Sequence, residues 1–167
     1  DAADLAADMA ELYEPAAEDK GLDFSAEIER GLMIEGARPF LAQALANVID
    51  NAIKYTPVGG AVMLRARRRS SGEIEFSITD TGPGVPEEDR DRVIERFVRL
   101  DNSRTEAGSG LGLSLVGAVM EAHLGRIQLD EVMTRLEGLL DFNDATATAP
   151  SRSAVHRYGQ KFAKVSE

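Results

Sequence analysis

The spacing of apolar residues along the chain predicts three amphipathic helices. Apolar side chains recur every three or four positions in three segments, which is the repeat of a helix with one buried face. The marking residues are Leu5, Met9, Leu12 and Tyr13 in the first segment, Leu41, Leu45, Val48, Ile49 and Ala52 in the second, and Leu113, Val116, Val119 and Met120 in the third. Pro57 and the glycines that follow it end the second helix, and Gly125 ends the third.

Apolar and polar residues alternate between these helices, as they do in half-buried strands. The alternating positions are Leu22, Phe24, Ala26 and Ile28, then Val62, Leu64 and Ala66, then Ile74, Phe76 and Ile78, and finally Ile127 and Leu129. The runs on either side of residues 70–72 predict an antiparallel hairpin, and residues 32–34 predict one more short strand. Residues 130–140 show a more helical spacing, so no strand is predicted there. The sum is an α+β fold, a two-layer sandwich in which helices cover one face of a mixed β-sheet.

Composition narrows the class of protein. The chain has 167 residues, of which 43% are hydrophobic and 29% charged, and this is typical of a soluble domain that buries its own core. It contains no cysteine, which excludes thiolate metal sites and cysteine nucleophiles. No apolar run approaches the roughly 20 residues of a membrane span, and the acidic first residues do not match a signal peptide. We therefore expect an intracellular domain.

The formal net charge of −10 is concentrated at the start of the chain. Residues 1–30 hold ten acidic and two basic side chains, so we assign most of the negative charge to the outer face of the first helix. This distribution argues against nucleic-acid binding, because a polyanion would be repelled. The basic cluster Arg65, Arg67, Arg68 and Arg69 lies at the predicted hairpin, where it forms either a solvated face or a docking patch.

Three groups of residues at the element junctions carry candidate chemistry. Asn47, Asn51 and Lys54 share roughly one face of the second helix, where amide oxygens suit Mg²⁺ and an ammonium suits phosphate; the alternative is a solvent-facing surface. Asp80, at a strand end before Gly82 and Gly84, can accept a hydrogen bond from an exocyclic amine, although the loop alone could be an ordinary turn.

The third group is a glycine-rich loop that runs directly into the third helix. Residues 108–113 combine exposed backbone N–H groups with a helix N-terminus, which together favour anions; a flexible linker is the alternative. Each of the three groups is a weak signal by itself. Their order and spacing in one chain indicate a single nucleotide pocket.

Four sequence strings resemble the nucleotide-binding boxes of the catalytic ATP-binding domain of bacterial sensor histidine kinases. Residues 47–57 are similar to the asparagine box, residues 80–86 to the first glycine box, residues 95–99 to the phenylalanine box and residues 108–113 to the second glycine box. The resemblance covers roughly residues 4–129. It implies the ATP-binding sandwich shared with gyrase-type and Hsp90-type ATPases, which agrees with the fold predicted from the hydrophobic pattern.

The resemblance also implies a role for each matching residue. Asn47 and Asn51 would hold Mg²⁺ and the phosphates, Lys54 and Tyr55 would line the phosphate and ribose side, Asp80 would accept from the adenine amino group, and Gly82 and Gly84 would shape the adenine wall. Phe97 would anchor a lid over residues 101–110, Arg96 and Arg99 would reach phosphate, and Gly108, Gly110, Leu111, Gly112 and Leu113 would form the far end that covers the triphosphate.

Asn47 sharpens the expected reaction. The water-hydrolysing relatives place a glutamate at this position, and an amide cannot replace a carboxylate as general base for water. We therefore expect transfer of the γ-phosphoryl group to a protein nucleophile. The resemblance implies that this nucleophile is a histidine on a separate dimerisation domain. His123, at a helix end where an imidazolium is favoured, and His156 do not match that acceptor and are assigned no catalytic role.

The implied partners are ATP, the histidine phosphoacceptor domain and, indirectly, a response regulator, with no nucleic acid and no membrane contact. The expected location is the cytoplasm, either free or as part of a membrane-bound sensor. We expect residues 1–20 to be the acidic helix at the start of the ATP-binding domain, residues 21–140 its body, and residues 141–167 a linker with an atypical tail, either a docked helix or a poorly ordered end. A non-catalytic signalling or partner-binding module is the alternative function.

Overall fold

The computed structural model describes residues 1–90, 93, 112–130 and 133–140. The predictions for residues 94–111, which include the lid, and for the tail at residues 141–167 lie outside the described residues. The helices are α1 (Ala2–Asp19), α2 (Arg38–Tyr55) and α3 (Gly112–Ala122), and a short 3-10 helix spans Glu87–Asp89. The strands are β1 (Asp23–Ile28), β2 (Ala61–Arg68), β3 (Glu73–Asp80), β4 (Arg126–Leu129) and β5 (Met133–Leu140).

The five strands form one mixed sheet in the order β1-β2-β3-β5-β4. Strands β1 and β2 are parallel, and the other neighbours are antiparallel. The chain passes from β1 to β2 through α2, because parallel neighbours need a crossover connection. The predicted fold class, a mixed sheet with helices on one face, is confirmed.

One hydrophobic core lies between the helices and the sheet. Its buried members include Ala2, Leu5, Ala6 and Ala17 of α1, Leu41, Leu45, Val48 and Ile49 of α2, Val116, Val119 and Met120 of α3, and Val62, Leu64, Ala66, Ile74, Phe76, Ile78, Leu136 and Leu139 of the sheet. Burial of one large apolar side chain contributes about 1.5–3 kcal/mol. The apolar positions predicted for the three helices pack against this core, except Leu12 of α1, which is 63% exposed.

The hydrophobic pattern left residues 130–140 without an assigned strand, and the structure shows that this segment contains β5. The register shifts along the β3–β5 ladder, where Phe76 pairs with Leu136 and Ile74 pairs with Leu139. Between these two pairs, one residue of β3, Glu75, opposes two residues of β5, Glu137 and Gly138, and both leucines are buried. This bulge places core residues three positions apart in a strand, a spacing that looks helical in the sequence. The short strand predicted over residues 32–34 is reduced to a single bridge residue, Ile34.

The face of the sheet opposite the helices carries a chain of ion pairs that we call the ionic ladder. Its pairs are Glu27 with Arg65, Glu75 with Arg67 and Arg69, and Glu137 with Arg69 and Arg126. These side chains alternate along β2, β3 and β5 with residues that face the core. Three arginines of the predicted basic cluster, Arg65, Arg67 and Arg69, are thus paired with carboxylates.

The end of α3 is joined to the start of α2 by His123. The imidazole Nδ1 lies 2.7 Å from the Val119 carbonyl oxygen, and Nε2 accepts a hydrogen bond from the Ala37 N–H at 3.0 Å. A carbonyl can only accept, so Nδ1 carries the proton and the ring is neutral. The structural role expected of His123 from the sequence agrees with these contacts. Among the described residues, no helix combines the length and apolar character that crossing a bilayer requires.

Candidate functional site

The candidate site lies where the end of β3 meets the end of α2. Asp80 is the last residue of β3, and the loop after it passes close to the last turn of α2. A Cβ atom added to Gly82 would lie 2.7 Å from Asp80 Oδ1 and 3.2 Å from the Tyr55 carbonyl oxygen. A side chain at residue 82 would therefore displace the Asp80 carboxyl and press on the Tyr55 carbonyl. Gly84 has a positive φ of 70°, a conformation that L side chains rarely adopt.

The Asp80 carboxyl is held at the edge of this contact. Its Oδ1 atom accepts a hydrogen bond from the Gly82 N–H at 2.8 Å. Burial raises the pKa of Asp80, and the Gly82 N–H and the Thr56 hydroxyl partly oppose that rise. The carboxyl is thus partly desolvated but oriented by the backbone, as expected of a group that recognises a ligand.

Thr56, directly after α2, is a candidate site residue that sequence reasoning missed. It is almost fully buried, and within the described residues its hydroxyl completes no hydrogen bond of normal geometry. The hydroxyl nevertheless lies near enough to Asp80 to favour the carboxylate form. Buried hydroxyls are normally paired, so this one is available to a ligand or to a water. Its sequence signal was a polar residue next to a helix-ending proline, which is too common to single it out.

The asparagine face of α2 meets the start of α3. The Asn47 Nδ2 group donates to the Gln43 carbonyl at 2.8 Å, which orients the amide. A Cβ atom added to Gly112, the first residue of α3, would lie 3.2 Å from Asn47 Oδ1. The structure therefore brings the asparagine string and the end of the second glycine string together. Asn51 lies one helical turn further along α2 and is half-buried.

Lys54 and Tyr55 lie at the end of α2, next to the loop after β3 that contains Gly82. The Lys54 Nζ atom lies 5.0 Å from the centroid of the Tyr55 ring, within the range of a cation–π contact.

Leu113, in the first turn of α3, packs against the core. The remaining predicted site residues lie outside the described residues: Arg96, Phe97, Arg99, Gly108, Gly110 and Leu111.

Comparison with known proteins finds a matching family model and relatives that are sensor kinases by name. The family model described as histidine kinase-, DNA gyrase B- and HSP90-like ATPase matches residues 36–152. Adaptive-response sensory kinase SasA from Nostoc sp. is 43% identical over 90 residues, which are 54% of this chain and 22% of that protein. SasA from Synechocystis sp. is 36% identical over 129 residues, which are 77% of this chain and 34% of that protein. The chain thus spans about a fifth to a third of the length of these curated relatives.

Solved structures show the same likeness in three dimensions. The mycobacterial sensor histidine kinase MprB is 31% identical with a TM-score of 0.68, and the match covers 80% of this chain and 91% of that one. Full-length ShkA in complex with AMPPNP is 32% identical with a TM-score of 0.68, over 82% of this chain and 29% of that one. The chain therefore belongs to the histidine kinase-, DNA gyrase B- and HSP90-like ATPases, as an ATP-binding catalytic module of the sensor kinase kind.

Proposed function

We propose that this chain binds ATP with Mg²⁺ and positions the γ-phosphoryl group for transfer to a histidine on a separate dimerisation domain. The observation that carries nucleotide binding is the Asp80 carboxyl, held at a glycine contact beside the unsatisfied Thr56 hydroxyl. The kinase part of the proposal is supported by the relatives, which are sensor kinases by name. The AMPPNP complex of ShkA supports the choice of nucleotide.

Asp80 suits a base that carries an exocyclic amine. Its Oδ1 atom is engaged by the Gly82 N–H, and the carboxylate retains further lone pairs that accept from an amino group. Adenine presents an amino group where guanine presents a carbonyl oxygen, which a carboxylate would repel. Gly82 and Gly84 would shape the loop that forms the wall beside the flat base, and Tyr55 would border the ribose side. The pocket is therefore expected to prefer adenine nucleotides.

Asn47, Asn51 and Lys54 are assigned to the phosphate end of the nucleotide. The described residues contain no group of three or more acidic or histidine side chains that could hold a metal ion. Amide oxygens nevertheless fit Mg²⁺, which commonly takes few protein ligands and fills its shell with water and phosphate oxygens. When bound there, Mg²⁺ would neutralise charge on the phosphates. Lys54, Arg96 and Arg99 would add positive charge, and residues 108–113 would supply backbone N–H groups.

Asn47 favours transfer over hydrolysis. Its amide has no basic site for a water proton, and its Nδ2 group is already engaged by the Gln43 carbonyl. Catalysis by this chain would then consist of alignment and charge neutralisation, with the nucleophile supplied by the acceptor histidine. The partners on this proposal are ATP, the acceptor domain and, through it, a response regulator. The place of action is the cytoplasm.

A titration with Mg-ATP tests the proposal, with Asp80→Asn as the decisive variant. In the variant the single amide oxygen would be held by the Gly82 N–H, so the NH₂ group would face the adenine amine. We expect binding to weaken about 30-fold, which corresponds to about 2 kcal/mol. Asp4→Asn, on the exposed first turn of α1, is the matched control and should bind like the parent.

Two results would contradict the proposal: absence of Mg-ATP binding by the parent chain, or equal binding by the parent and Asp80→Asn. A mixture of the chain with a histidine-bearing dimerisation domain of a sensor kinase and labelled ATP tests the second step. Label on the acceptor histidine supports the kinase assignment. Binding without transfer to any such domain would support a non-catalytic signalling module.

A further inference from the structure

The end of α1 places one ammonium group against the end of α2. Helix α1 closes with the Gly21 N–H on the Glu18 carbonyl at 2.8 Å and the Leu22 N–H on the Ala17 carbonyl at 2.9 Å. This is a Schellman motif, and Gly21 has the positive φ of 75° that it requires. Lys20 is the last residue before that glycine, so its backbone is fixed on both sides.

The Lys20 side chain bridges from this fixed point to α2. Its Nζ atom donates to the Ile53 carbonyl at 2.6 Å and to the Lys54 carbonyl at 2.7 Å. Both carbonyls belong to the last turn of α2, where helix carbonyls have no partner inside the helix and where the helix dipole is negative. An ammonium group therefore satisfies two acceptors and a partial charge at once.

The turn that Lys20 holds is the one that carries the candidate site. It presents the side chains of Lys54 and Tyr55, the Tyr55 carbonyl packs against Gly82, and the next residue, Thr56, faces Asp80. A second attachment runs from the Gly59 N–H to the Gly21 carbonyl at 2.9 Å. The end of α1 thus holds the last turn of α2 through the Lys20 side chain and the loop after α2 through the Gly21 carbonyl.

We propose that Lys20 is a positioning residue of the nucleotide site. It fixes the turn that carries Lys54, Tyr55 and Thr56 against the loop after β3, which contains Gly82. The inference rests on the proposed function, because it assigns that turn to the nucleotide. Lys20 acts through the two carbonyls and needs no contact with the nucleotide. The cation that holds this turn therefore comes from the end of α1, outside the four nucleotide-binding strings.

The test compares Lys20→Met and Lys20→Arg with a control at the opposite end of the same helix pair. Methionine keeps the apolar stem and removes the donors, and arginine restores a cation. Arg38→Met is the matched control, because Arg38 also links α1 to α2, through Asp8, but at the start of α2. All variants are titrated with Mg-ATP at a temperature at which thermal unfolding curves show them to be folded.

We expect Lys20→Met to bind Mg-ATP about tenfold more weakly, a smaller loss than that of a whole charged hydrogen bond. Lys20→Arg should recover most of this loss, and Arg38→Met should bind like the parent even where it lowers the melting temperature. Parent-like binding by folded Lys20→Met would overturn the inference, as would equal weakening in Arg38→Met. If Lys20→Met does not fold, Lys20→Gln, which keeps a neutral donor, is judged by the same criterion. A parent chain that binds no Mg-ATP would instead contradict the proposed function.

Discussion

His123 shows how one side chain replaces a missing helix cap. Helix α2 begins after Ala37, which has no side chain that could cap the helix. The neutral His123 ring accepts the Ala37 N–H and thereby ties α3 to the start of α2. Gly36 lies against the same ring, where an added Cβ would be 2.6 Å from the imidazole Cδ2. The sequence placed His123 at a helix end but could not reveal its partner, because Ala37 lies 86 residues away.

Tyr13 gives a prediction about alkaline pH. Burial, together with the charge of Asp50 and a hydrogen bond to it, raises the pKa of Tyr13 from 10.0 to about 12. A raised pKa means that the stabilisation from this phenol is fully present below pH 10 and is lost as the pH rises from about 10 to about 12. We expect Tyr13→Phe to lower the free energy of unfolding by about 1 kcal/mol at pH 8, a value reduced by solvent screening at exposed Asp50.

Denaturant unfolding of the parent and Tyr13→Phe at pH 8 and at pH 11 checks this prediction. The difference between the two chains should fall to about zero, or change sign, at the higher pH. The other tyrosines titrate in both chains and therefore cancel. A difference that is the same at both pH values would mean that the Tyr13–Asp50 interaction does not stabilise the fold.

At the scale of elements, the ionic ladder predicts unequal contributions from its ion pairs. Glu137 is only 2% exposed and pairs with Arg69 and Arg126, whereas the side chains of Glu27 and Arg65 are 56% and 38% exposed. Glu137→Gln would leave two arginines without their shared carboxylate in a partly desolvated place, so we expect a loss of about 2 kcal/mol in the free energy of unfolding. Glu27→Gln should cost less than about 1 kcal/mol. Chemical denaturation of both variants measures the difference, and equal losses would contradict it.

Strand β5 is the element that the hydrophobic pattern did not identify. The pattern found the three helices and four strands because their apolar residues recur with the ordinary period of a helix or of a strand. In β5 the bulge opposite Ile74 and Phe76 breaks that period, and a bulge depends on the partner strand rather than on the sequence of β5 alone. Residues 133–140 form a strand because they pair with the neighbouring strands of the sheet. The pattern of residues 130–140 by itself did not indicate this strand.

For the whole molecule, the sequence predicted a sandwich and four strings that could share one pocket. The described parts of these strings do meet: Gly112 lies against Asn47, and Gly82 lies against Tyr55. The contribution of α1 could not be read in the same way. Lys20 reaches carbonyls 33 and 34 residues away, and backbone acceptors leave no trace in side-chain identity. The acidic first 30 residues suggested only a solvated helix, although one of the two basic residues there supports the candidate site.

The whole molecule also predicts slow hydrolysis of ATP. The chain would hold the nucleotide with amides, a lysine and backbone N–H groups, and at the position of a possible general base it has Asn47, whose Nδ2 group is engaged by the Gln43 carbonyl. Water would therefore remain unactivated, whereas a histidine nucleophile brings its own lone pair to the phosphorus. We expect the isolated chain with saturating Mg-ATP to release phosphate well below about 1 s⁻¹, the low end of ordinary enzyme rates. Release at or above that rate in a phosphate assay, lost in Asp80→Asn, would identify the module as a hydrolase and contradict the assignment of transfer.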